Sequence, residues 1–132
     1  MSSMDCPNCG CSRYPDPGGH CPDCNYPPLQ RLKLTGDKGS LSFGVLTRVG
    51  SALLLRLSSE AQFAEREEQF LISCNNSDWF IVPSPSARNQ TLLNGAILTA
   101  ANCLKEGDMI ALGSRADSTR QVMLLQVGMV NA

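Results

Sequence analysis

The sequence predicts an all-β chain, with a β-sandwich over residues 29–132 preceded by a small cysteine-rich knuckle module over residues 1–28. Three observations predict it. After Pro28, short apolar runs recur between turn residues, the pattern of a sandwich built from many short strands. Asn94-Gly95 sits between Leu92-Leu93 and Ala96-Ile97-Leu98, and that dipeptide is the strongest short hairpin signal. Five of the seven cysteines lie in the first 24 residues, among Pro, Gly, Asp and Asn with almost no aliphatic side chain to bury.

The first element follows from that last point. A segment of roughly 28 residues without a core does not fold alone and needs a metal or disulfides. Its cysteines are paired as Cys6-Pro7-Asn8-Cys9 and Cys21-Pro22-Asp23-Cys24. In a reducing compartment, two such pairs read as metal ligands rather than disulfides. The two thiolates of each knuckle point toward one spot, and the turn between them offers backbone N–H groups to the sulfurs. Two knuckles complete a tetrahedral sulfur site. The 11 residues between Cys9 and Cys21 leave room for a short hairpin, and Pro7, Pro22 and Gly10 suit tight turns. Cys6, Cys9, Cys21 and Cys24 are therefore the expected ligands and zinc the expected ion, although Cys11 and His20 lie beside them and could each replace one. Four thiolates also hold iron, but a redox site needs an apolar shell and these surroundings are polar, which favours structural zinc. Four protein ligands leave no open position for water, which excludes metal-based hydrolysis.

The body reads as strands in order. Leu32 and Leu34 alternate with Arg31 and Lys33, and Leu41 and Phe43 follow a turn over Gly36–Gly39. Phe70-Leu71-Ile72 and Trp79-Phe80-Ile81-Val82 are joined across Asn75-Asn76-Ser77-Asp78 as a hairpin. Met109-Ile110-Ala111-Leu112 follows a Glu-Gly-Asp turn, and Val122–Val127 forms a terminal strand. Between them, Leu53, Leu54 and Leu57 have helical spacing and residues 60–68 are rich in helix formers, so one or two helical turns are expected within 51–69. Cys74 and Cys103 are expected as buried thiols, since free Cys behaves as a small hydrophobe.

Composition narrows the function. Lys and Arg total 11 against 12 Asp and Glu. The knuckle module has Arg13 as its one cation before Arg31, opposed by Asp5, Asp16 and Asp23, a poor footprint for nucleic acid. No stretch suggests a membrane span, and the opening MSSMDCPNCG lacks the regions of a signal peptide, so a cytoplasmic address is expected. One histidine, with no Ser/His or Cys/His constellation and no glycine-rich phosphate loop, argues against an enzyme.

Lys105-Glu-Gly-Asp-Met-Ile-Ala-Leu-Gly113, taken with Asn89-Gln-Thr-Leu-Leu-Asn-Gly95 and Trp79-Phe-Ile-Val, resembles the second half of a forkhead-associated (FHA) domain. The resemblance spans residues 30–132. It implies a β-sandwich whose loops at one end bind phosphothreonine peptides through an Arg, a Ser hydroxyl and a loop Asn, groups suited to charge-assisted bonds to a dianionic phosphate. The family's Gly-Arg pair aligns with Thr47-Arg48 and its Ser-Arg-x-His segment with Arg66-Glu67-Glu68-Gln69. Its Ser-x-Asn-Gly-Thr loop becomes Ala87-Arg88-Asn89-Gln90-Thr91. Arg48, Arg66, Arg88 and Asn89 are thus the phosphopeptide-binding candidates the resemblance implies. The family's Ser and His are missing, and Glu65, Glu67 and Glu68 stand beside the expected pocket, which implies a degenerate phosphate site. The expected function is a monomeric, non-enzymatic adaptor that binds a protein partner, one version of which carries phosphothreonine. The alternative is a nucleic-acid-associated regulatory factor acting through the zinc ribbon.

Overall fold

The computed structural model describes residues 5–15, 18–26, 28–61, 64–113 and 121–131. Asp16 lies outside them. Among the described residues, ten strands form two antiparallel sheets. The six-stranded sheet runs in the order β2 (Ser40–Phe43), β1 (Gln30–Thr35), β10 (Gln121–Asn131), β9 (Met109–Gly113), β6 (Thr91–Leu93) and β7 (Ala96–Ile97). The four-stranded sheet runs β3 (Thr47–Val49), β4 (Phe70–Asn75), β5 (Asp78–Pro83) and β8 (Asn102–Leu104).

Alternating side chains make the core. Leu32, Leu34, Ile110, Leu112 and Leu125 from the larger sheet belong to one buried cluster with Phe70, Ile72, Trp79 and Ile81 from the smaller. Each such burial is worth about 1.5–3 kcal/mol. Trp79 also donates its indole N–H to the Gln30 carbonyl at 2.9 Å, which ties β5 to the start of β1.

Both two-residue hairpins are set by their turns. Asn76 and Ser77 have φ of 51° and 69°, and Asn94 and Gly95 have 52° and 85°, the left-handed pairs that match strand twist.

One expectation is overturned, that of a buried Cys103. The expected one or two helical turns within 51–69 prove to be one, the helix α1 at Ser51–Leu54, whose Leu54 is buried with Leu57. The described part of the 60–68 stretch is irregular, because its backbone bonds elsewhere: Ser51 N–H donates to the Glu65 carbonyl and Glu65 N–H to the Gln69 side chain. The strand β8 has too few apolar residues to announce itself and is held by pairing with β5. Cys103 lies on that edge strand and is exposed, unlike Cys74, which is buried.

Register fixes the two ends of the smaller sheet. Val49 pairs with Phe70, and Phe70 with Pro83, so the β3–β4 and β5–β6 loops emerge together. The β4–β5 turn and the approach to β3 lie at the opposite end, where Asn75 pairs with Asp78 and Thr47 with Ile72. The knuckle module sits on that opposite end, bonding to the Cys74 carbonyl and to the N–H groups of Leu46 and Asn76.

Candidate functional site

The two cysteine pairs fold as near-copies. Cys6 N–H bonds to the Cys11 carbonyl at 2.8 Å and Gly10 N–H to the Cys6 carbonyl at 2.9 Å. Cys21 N–H repeats this with the Tyr26 carbonyl at 2.8 Å, and Asn25 N–H with the Cys21 carbonyl at 2.9 Å. Gly10 (φ 81°) and Asn25 (φ 63°) take the left-handed position that closes each loop. The third residue of each loop turns its N–H toward the first sulfur: Asn8 to Cys6 Sγ and Asp23 to Cys21 Sγ, both at 3.4 Å.

This brings Cys6, Cys9, Cys21 and Cys24 together, with their Sγ atoms within 4.8 Å of one another. Cys6 and Cys24 are 3.7 Å apart and Cys9 and Cys21 3.5 Å, close to the edge of about 3.8 Å in a tetrahedron with zinc–sulfur bonds of about 2.3 Å. The donor set fits a thiophilic tetrahedral ion. Burial raises Cys9 to about 12, whereas at Cys21 the N–H donors of Cys24 and Asp23 outweigh burial and hold the thiol down to about 6. A cation binding here therefore displaces protons. Neither Cys11 nor His20 belongs to the gathered group. Cys11 packs against it, as do Tyr14 and Tyr26, whose rings meet edge to face at 5.7 Å. Cys74 stays outside the cluster too, its thiol raised to about 11 by burial.

The other candidate site lies at the far end of the sandwich. Arg48 on β3 and Arg66 line a shallow depression of about 490 Å³ with Ser84 and Ser86, and the three carboxylates of Glu65, Glu67 and Glu68 line it as well. Asn89 is buried and lines a neighbouring depression of about 260 Å³, with Ser84 shared between the two. Arg88 lines neither; its Nε lies 3.5 Å from Glu65 Oε1, and its backbone N–H donates to the same oxygen at 2.8 Å. Arg48 Nε lies 3.7 Å from Glu68 Oε1. Of the predicted phosphopeptide residues, the fold thus gathers all four at one end of the sandwich but puts two of the three arginines against carboxylates.

Two residues that hold this end are not signalled by their sequence neighbourhood. Gln69, in the place aligned with the family's His, is fully buried and bridges both loops. It accepts Glu65 N–H at 2.9 Å and donates to the Asn89 carbonyl at 2.7 Å and to Thr91 Oγ1 at 3.0 Å. Gly50 presses against the loop so closely that a Cβ there would collide with the Arg66 and Glu67 carbonyls. Ser84 and Ser86, with hydroxyls 3.2 Å apart, likewise give no sign of a site in the sequence, since a Ser beside Pro signals a turn, not a pocket.

No family profile matches the chain, and no curated protein matches it. Solved structures do match. The FHA domain of an Arabidopsis thaliana hypothetical protein aligns at 23% identity over 79% of this chain and 89% of its own, with a TM-score of 0.60. An FHA domain solved in work on phosphothreonine-dependent FHA domain interactions aligns at 16% identity over 77% of this chain and 99% of its own, with a TM-score of 0.57. The chain therefore carries the β-sandwich fold of FHA domains, behind a four-cysteine knuckle whose geometry is compatible with metal coordination.

Proposed function

We propose that the chain is a non-enzymatic protein-interaction module, an adaptor whose sandwich loops bind a protein partner without requiring phosphate and whose knuckle holds structural zinc. The pairing of Glu65 with Arg88 and of Glu68 with Arg48 carries this reading. Two guanidiniums against three carboxylates line the depression, a poor charge balance for a dianion. The all-sulfur donor set, four cysteines with sulfurs within 4.8 Å of one another, supports zinc in a structural role.

A phosphothreonine-reading version has one observation in its favour. Arg66 forms no ion pair among the described residues, and the Ser84 and Ser86 hydroxyls share its depression.

Titration of the zinc-loaded chain against matched phosphothreonine and unphosphorylated peptide libraries separates the two. The module as proposed binds selected peptides of both libraries equally, and Arg48→Ala changes neither. Micromolar binding that needs both the phosphate and Arg48 would overturn the proposal in favour of phosphate reading.

A further inference from the structure

Asn8 and Asp23 hold the same place in the two cysteine loops, yet their surroundings are opposite. Asp23 is exposed and paired with Arg13 at 2.7 Å. Asn8 is 6% exposed, and its amide is fully engaged. Its Nδ2 donates to Cys24 Sγ at 3.2 Å and to the Cys74 carbonyl on β4 at 2.6 Å, while Oδ1 accepts Leu46 N–H at 2.9 Å. A carboxylate here would set negative charge against a thiolate and a carbonyl and offer neither of them a donor. The loop that faces the sandwich carries the amide, and the loop that faces solvent carries the acid.

Cys24 is held from its backbone as well. Its carbonyl accepts Asn76 N–H at 2.8 Å, within the left-handed turn between β4 and β5. The next turn residue, Ser77, accepts Leu29 N–H on its hydroxyl at 3.2 Å, strapping the segment that leads into β1.

We propose that Asn8 couples the metal site to the sandwich, positioning Cys24 for the ion while pinning the β4 carbonyl and the β2–β3 loop, so that metal loading and the order of this end are one event. The inference rests on reading the four cysteines as a metal site. A metal-bound thiolate accepts a stronger hydrogen bond than a thiol does, so the ion tightens the Asn8 contact. The contact in turn holds the sulfur where the ion needs it. Partners of ligands in this position typically change metal affinity by about 10–100-fold.

The test uses the full chain as wild type, Asn8→Ala and Asn8→Asp. Elemental analysis gives metal content, zinc affinity follows from competition with a chromophoric chelator, and amide hydrogen exchange reads order. Both variants should bind zinc about 10-fold or more weakly. The Leu46 and Asn76 amides should lose protection in both variants and in chelator-stripped wild type, while β9 and β10 keep theirs. Asn8→Asp keeps the side chain's shape, so a merely space-filling role would leave it like wild type and overturn the coupling. Equal zinc affinity in all three chains, or undiminished protection of Leu46 and Asn76 after stripping, would overturn it too. A wild-type chain that takes up no metal overturns the metal reading and the coupling with it, and the elemental analysis separates that result from the others.

Discussion

Gln69 is fully buried, and three polar groups from two separate segments meet on its side-chain amide: Glu65 N–H, the Asn89 carbonyl and Thr91 Oγ1. Replacing it with leucine keeps much of the volume and removes every partner. Each group left buried and unsatisfied costs about 1–3 kcal/mol, so Gln69→Leu should lower the urea midpoint clearly without changing the zinc content. An unchanged midpoint would show that water replaces the amide and that the loops do not depend on it. Nothing in the run Glu65–Gln69 announces this role. Two of its three bonded partners lie 20 and 22 residues away, and a glutamine beside glutamates reads as solvated surface. Asn8 is harder still, because the carbonyl it holds is 66 residues away. The gathering of Cys6, Cys9, Cys21 and Cys24, by contrast, was legible at once, since the spacing within each pair is itself the geometry of the knuckle.

Elements divide along the same line between local and distant causes. The β4–β5 and β6–β7 hairpins are written in their turns, where Asn and Gly take positive φ at little cost. β1 is written in its alternation of buried leucines with more exposed neighbours. The strand β8 owes its extended form to pairing with β5, and the 60–68 stretch owes its irregular path to bonds with Ser51 and Gln69, so neither was legible. The β3–β4 loop also carries the carboxylates that line the depression beside Arg48 and Arg66. The Arg48–Glu68 and Arg88–Glu65 pairs are exposed on the arginine side and each contributes little to stability. Their weight is in the charge they place beside an incoming anion. The double variant Glu65→Gln, Glu68→Gln should therefore fold normally and gain affinity for phosphothreonine peptides over their unphosphorylated forms, about tenfold or more, from the removal of two repelling carboxylates. Calorimetric titration checks it, and a variant that still ignores phosphate would mean the missing family serine, rather than the glutamates, silences the site.

At the scale of the molecule, two buried clusters are distinct: the sandwich core and the small group around Cys6, Cys21 and Cys24. The sandwich buries a large apolar cluster of its own, whereas the buried group of the knuckle is three cysteines, so an ion bound there would matter most to the knuckle. Chelation should therefore lower the melting temperature of the whole chain while its β circular dichroism persists at room temperature. Lowering the pH should do the same, since protons compete with the ion for the thiolates and its affinity falls as pH falls. Collapse of the β signal on chelation would mean the sandwich cannot stand alone. The two ends also differ in what they leave open. The knuckle covers the β4–β5 end, and the loops around Arg48 and Arg88 emerge at the other. The outward Arg13–Asp23 face is thus a natural handle: a linkage to a sensor chip or bead made there would present every molecule loops-outward, in one orientation, with the candidate binding end facing the solution.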